Sequence, residues 1–264
     1  MSGILGKLLT SAIALVMITA ISACSIDSPV VVEQDGLSDV ADITQNPASY
    51  IGKSVLVRND VIQIIGERGL ILDKDRAFYG ETILALNISE QPLKVSVEDT
   101  PEVLIMGKVE RLALASIQQN YDLKLDFNLY NQYENQPVII AEDLILSPDP
   151  EDLTRHPEAY YDQPLAIKGE LEDLKSYGIF ELDEEQAFGG QDLVVVQPQP
   201  RIKLSEEQTV IVYGVLRPLV TVELERDYDL GWDLSLQQQI EAEYFKKPVL
   251  VADKIIILES KKQF

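Results

Sequence analysis

This chain of 264 residues contains one histidine, one cysteine and one tryptophan, and only 22 basic residues against 44 acidic ones. Each shortage excludes something. A single imidazole, His156, cannot build a histidine-based triad or a metal site of several histidines. A single cysteine cannot close a disulfide within the chain or supply the paired spacing of a zinc site. Neither a glycine-rich phosphate loop nor a dinucleotide-binding glycine pattern occurs, so no cofactor is expected. The formal charge of −22 repels nucleic acid, whose phosphates need a Lys/Arg surface, and repels anionic lipid headgroups as well. Aromatic residues make up 7% of the chain, which is thin for a groove that stacks sugars.

What is present begins at the lone cysteine. Lys7 is the only cation in the opening stretch, residues 8–20 are almost wholly apolar, and small Ser22 and Ala23 precede Cys24. This is the layout of a secretory signal, and the apolar run falls short of the roughly 20 residues of a spanning helix. Ile21-Ser22-Ala23-Cys24 resembles the lipobox of bacterial lipoproteins at all four positions. The resemblance implies that the Cys24 thiol receives a diacylglycerol, that residues 1–23 are removed as a signal peptide, and that the new amino terminus is acylated. One acyl chain holds a protein marginally, at about 0.8 kcal/mol per buried CH₂, whereas two or three hold it stably. The protein is then expected in the cell envelope, lipid-anchored on the extracytoplasmic side of a bacterial membrane. Residues 24–41 mix Ser, Asp, Pro and a short valine run, and read as a tether.

The remainder says most things twice. Asp42, Thr44, Pro47 and Tyr50 recur as Asp152, Thr154, Pro157 and Tyr160, a constant offset of 110 residues. Four further blocks recur in the same order: residues 70–81 with 179–191, 106–112 with 213–219, 121–130 with 228–237, and 137–146 with 248–258. The spacing predicts a tandem duplication, repeat 1 over 42–147 and repeat 2 over 152–259. The break falls at Ser147-Pro148-Asp149-Pro150, where two prolines stop regular structure.

Within repeat 1, strands are predicted around Val55 to Ile64, Leu70 to Leu72, Ile83 to Ile88, Val103 to Val109 and Val138 to Leu146. Gly107, inside the fourth, marks a bulge or bend that lets a small sheet curl. Tyr121 to Tyr133 reads as a short helix. The fold class expected is mainly β, as two tandem five-stranded OB-like barrels with short helical insertions. The segments Asp42 to Val61, Leu70 to Asp73, Tyr121 to Asp126 and Pro137 to Asp143 also resemble uncharacterised extracytoplasmic repeats of actinobacteria and cyanobacteria. That resemblance implies fold and location and no activity.

The one motif with chemical content is Tyr121, Asp122 and Asp126, repeated as Tyr228, Asp229 and Asp233 with Trp232 added. On a continuous helix, Asp122 and Asp126 share a face, where they could bind a cationic partner or a divalent ion. Capping and packing is the plainer role for the same residues, and an exposed Trp232 would anchor a partner. His156 precedes Pro157 at the place of Asn46 and reads as a cap. Residues 183–190 are acidic and end in Gly189-Gly190, but lack the alternating ligands of an EF-hand. The expected function is a non-enzymatic binding or scaffold lipoprotein, held to the membrane by its lipid, with protein, glycan or cation as ligand and an envelope protein as possible partner. A carboxylate-based glycan hydrolase is the alternative. No catalytic or metal-ligating residue is singled out.

Overall fold

The computed structural model of the chain describes residues 31–34, 36–73, 82–89, 101–183, 191–199 and 201–258. Cys24 and the acidic tip weighed as a calcium loop (184–190) lie outside the described residues. The chain is mainly β. Its first strand, β1 (Val31–Gln34), falls inside the stretch read as a tether. Two short helices, α1 (Val40–Gln45) and α2 (Pro47–Tyr50), follow, with Asp39 capping α1 by accepting from the Ala41 N–H at 2.8 Å.

A closed five-stranded barrel comes next, built from β2 (Ser54–Ile65), β3 (Gly69–Asp73), β4 (Ile83–Asn87), β5 (Glu102–Arg111) and β6 (Pro137–Leu146). The pairings run β2-β3-β4-β6-β5 and return to β2, all antiparallel except β4 with β6. Strand alternation fills the interior with Val55, Val57, Val61, Leu70, Leu72, Ile83, Ala85, Val103, Ile105 and Ile139. The glycine expectation is met: register shifts between Met106 and Gly107 leave Glu142 as an extra residue on β6.

Between β5 and β6 the chain forms α3 (Leu114–Tyr121), α4 (Phe127–Tyr130) and a 3-10 turn at Asn131–Tyr133. The single helix expected over 121–133 is therefore corrected: α3 ends at Tyr121, residues 122–126 are not helical, and α4 with the 3-10 turn fills the rest. Leu123 and Leu125 are both buried, an alternate-residue pattern that extended backbone satisfies and a helix cannot. These helices cover the outer face of β3, β4 and β6, where Ile71, Leu84, Leu86, Val138 and Ile140 pack on Leu114, Ile117, Leu123, Leu125 and Tyr130. Every residue of β3 and β4 is consequently buried.

After α5 (Pro150–Arg155) come β7 (Pro164–Glu172), β8 (Ile179–Asp183), β9 (Leu193–Val196) and β10 (Thr209–Pro218), then α6 (Thr221–Tyr228), α7 (Leu234–Glu243) and β11 (Pro248–Leu258). Their pairings follow the same order, β7-β8-β9-β11-β10 and back to β7, again with the third and fifth strands parallel. A matching shift between Tyr213 and Gly214 leaves Asp253 extra on β11. Here α6, α7 and the residues flanking them cover the outer face through Leu224, Leu230, Trp232, Ile240 and Tyr244 on Ile179, Val194 and Val196.

The two repeats meet on equivalent positions. Leu56 and Ala166, Leu104 and Ile211, Met106 and Tyr213, and Ile145 and Ile256 all lie in one shared apolar cluster. This is the pattern of a two-fold interface, in which the same patch serves both sides. Strand β1 then adds in parallel to β11, Val31 opposite Ile255 through Gln34 opposite Leu258. No helix among the described residues is long and apolar enough to cross a membrane.

A Cβ at Gly107 would lie 2.2 Å from the Ile140 carbonyl oxygen, and one at Gly214 would lie 2.2 Å from that of Val251. Gly107→Ala or Gly214→Ala should therefore lower unfolding free energy by about 2–3 kcal/mol in urea titrations. A loss below about 0.5 kcal/mol in both would mean that the bulges have room to spare.

Candidate functional site

The tyrosine-aspartate motif is a helix connector in both repeats. Asp122 and Asp229 take the left-handed conformation, φ 50° and 49°, and end α3 and α6. Asp126 and Asp233 start α4 and α7, accepting from the N–H of Asn128 and of Leu236, each at 2.9 Å. Asp122 and Asp126 thus flank a break and do not share a helix face. Tyr121 donates its hydroxyl to Glu110 at 3.1 Å, while Tyr228 packs half-buried against the second cap.

Trp232 is 3% exposed, so it is a pillar of the cap and not a surface anchor. Its indole N–H donates to the Tyr177 carbonyl at 3.1 Å, and its backbone N–H to Glu225 Oε2 at 2.9 Å. Leu125, its equivalent in repeat 1, donates its backbone N–H to Gln118 Oε1 at 3.0 Å. The bond is reused while the side chain filling the hole differs. His156 ends α5, with φ −132° and ψ 52°, nearly the angles of Asn46 after α1 (−125°, 52°).

The polar concavity lies elsewhere, between the repeats. A cleft of about 480 Å³ is lined by Asp39, Asp60, Glu102 and Asp149 together with Arg58 and Lys168. Arg58 is its hub. Nη2 lies 2.6 Å from Glu102 Oε2 and 2.6 Å from Asp149 Oδ1, and donates to the Ser147 carbonyl at 2.8 Å. Nε donates to the Ser147 carbonyl at 3.1 Å and to its hydroxyl at 3.0 Å. That hydroxyl donates across the boundary to the Ala166 carbonyl at 2.5 Å, and the Ser147 N–H donates to Glu102 O at 2.9 Å.

Physical chemistry explains why an arginine is needed. The linker carries prolines at 148 and 150, which supply no N–H, so it cannot join a ladder and its carbonyls need other donors. Arg58 offers a planar fork that holds a carbonyl and two carboxylates at once. Glu102 and Asp149 both pair with this guanidinium. The cleft was not legible in the sequence, although one signal pointed there: Arg58 and Lys168 hold the same place in the two repeats and face the same cleft. Among the described residues, no group of three or more His, Cys, Asp or Glu side chains is placed to hold a metal ion.

Further along the interface, Tyr213 lies against Lys254, whose Nζ sits 5.0 Å from the ring centroid. Burial, with the Asp143 carboxylate of repeat 1 adding to it, pushes the Tyr213 hydroxyl up from 10.0 to about 12. Comparison of the chain with protein-family models and with curated protein sequences finds no match.

Two outcomes follow from this geometry. Arg58→Met removes the guanidinium that joins Glu102, Asp149 and the Ser147 carbonyl, and because solvent reaches both carboxylates (23% and 38% exposed) it should cost about 1–2 kcal/mol in denaturant unfolding; a change under about 0.5 kcal/mol would mean that Arg58 does not clamp the repeats. The raised Tyr213 hydroxyl contributes stability that is complete below pH 10 and is lost as the pH climbs through about 12. Wild type should therefore lose more stability between those values than Tyr213→Phe does, and equal losses would contradict the assignment.

Proposed function

We propose that the chain is a non-enzymatic binding or scaffold lipoprotein of the bacterial cell envelope, built as two OB-like barrels in tandem and held on the extracytoplasmic side of a membrane through Cys24. The lipobox-like Ile21-Ser22-Ala23-Cys24 supports the anchor. The shared ring order of β2–β6 and β7–β11, with third and fifth strands parallel, supports the two barrels.

One observation carries the functional reading. OB barrels take oligonucleotides and oligosaccharides on the face of their second and third strands. In repeat 1 that face is β3 and β4, lying under α3 and α4; in repeat 2 it is β8 and β9, lying under α6 and α7. The insertion between the fourth and fifth strands occupies the ligand's usual place in both. With the acidic charge acting in the same direction, nucleic acid is repelled and the customary groove is already filled. What remains for binding is the outside of the helical caps and the polar cleft between the repeats, surfaces suited to an envelope protein partner. The tandem arrangement then rigidly spaces two caps, which is what a scaffold requires.

Native protein isolated from membranes should begin at Cys24 and carry the mass of a diacylglycerol with a further acyl chain; an unmodified thiol with residues 1–23 retained would defeat the placement. In calorimetry, the mature chain should bind neither single-stranded oligonucleotides nor neutral oligosaccharides more tightly than about millimolar. Saturable micromolar binding of either would show that the caps open.

A further inference from the structure

We infer that the end of repeat 2 carrying Val220, Val222, Phe245 and Lys246 lies against the lipid surface, a second membrane contact beside the acyl anchor. The inference rests on the lipidation reading of Cys24 and adds an orientation to it. Among the described residues, six large apolar side chains are conspicuously exposed, and four of them sit on the cap of repeat 2. Val220 is 40% exposed, Val222 62% and Phe245 72%. Thr221 donates its hydroxyl to Glu241 at 2.7 Å, which brings the start of α6 beside the end of α7 and so places the valines and Phe245 at one end of the helix pair.

The corresponding residues of repeat 1 are Ala113, Ala115 and Glu134, followed by Asn135 and Gln136 where repeat 2 has Lys246 and Lys247. Asn135 and Lys246 even share the left-handed backbone, φ 66° and 61°. On one scaffold, then, the second copy has exchanged small, acidic and neutral residues for larger apolar ones and two cations. Lys246 Nζ stands 5.1 Å from the centroid of the Phe245 ring. An aromatic ring beside a lysine whose stem can lie along apolar surface suits the boundary between headgroups and acyl chains.

The strand that leads from the anchor points to the same end. Because β1 runs parallel to β11, with Val31 opposite Ile255, the chain enters β1 from the Pro248 end of β11. Seven residues separate Cys24 from Val31, a reach of at most about 24 Å. Seven residues also separate Pro248 from Ile255, about 23 Å of strand. The longest reach of the anchor thus ends level with Pro248, next to Phe245, Lys246 and Lys247. Only the copy whose last strand holds β1 carries the apolar and basic exchange.

The test uses the mature chain coupled through Cys24, its only cysteine, to a maleimide lipid in phosphatidylcholine vesicles that contain bromine-labelled phosphatidylcholine. Phe245→Trp is compared with Phe127→Trp, an exposed aromatic on the cap of repeat 1, over the background of buried Trp232. Quenching of the Phe245→Trp signal at least twice that of Phe127→Trp supports the contact, and any smaller ratio overturns it. The chemical coupling makes this result independent of the natural modification, which the mass of the native amino terminus decides separately.

Discussion

The structure is governed by one constraint: its strands are apolar on both faces, so a barrel interior alone cannot satisfy them. In β3 and β4 every residue is buried, with Leu70, Leu72, Ile83 and Ala85 facing inward and Ile71, Leu84 and Leu86 outward. Burying an outward leucine or isoleucine fully is worth about 1.5–3 kcal/mol, so the outer face needs a lid as much as the inner face needs a core. The connection between the fourth and fifth strands supplies that lid. The outward residues of β2 and β5, Leu56, Leu104 and Met106, find their cover in the other repeat instead. The two halves of the chain thus depend on each other's packing, because residues of β7, β10 and β11 close the remaining apolar face of β2 and β5.

Comparison of the repeats separates what the packing demands from what it tolerates. The left-handed Asp122 and Asp229, the bulge glycines, and the bond that residue 118 or 225 accepts from the extended segment recur with nearly the same geometry. Other positions exchange roles. In repeat 1 the turn residue Arg68 donates to the Asn87 carbonyl at 3.3 Å and to the Ser89 carbonyl at 2.5 Å. In repeat 2 the turn has Gly178, and Arg201 from a later loop lies over it, so close that a Cβ there would meet Nε at 2.1 Å. Arg201 then donates to the Leu230 carbonyl at 2.9 Å, tying the loop after β9 to the connector between α6 and α7. An arginine serves this region in both copies and reaches it from different points of the chain.

Much of this was legible in the sequence because it is written in periodicity and repetition. Alternating apolar residues located the strands, and Gly107 located the bulge. Residues 121–133 read as one helix in the sequence because Leu123 and Leu125 lie within a segment rich in helix-compatible residues, and their alternation is too short to stand out. Trp232 carried no mark of burial, since a lone tryptophan suits an anchor and a core equally well. The partners of Arg58 were illegible for a different reason. Those residues, Glu102, Ser147 and Asp149, are distant in sequence, and only the closing of the barrel brings them together.

Whether the helical caps are permanent walls of the fold decides whether the strand faces are closed to ligands. Native-state hydrogen exchange reads this directly. Amides of Leu84, Leu86, Val194 and Val196 and those of α3 and α6 should exchange together, with protection close to the global unfolding free energy. Fast exchange through α3 and α6 while the strand amides stay protected would contradict the account, since the caps would then be lids that leave the strand faces open to ligands.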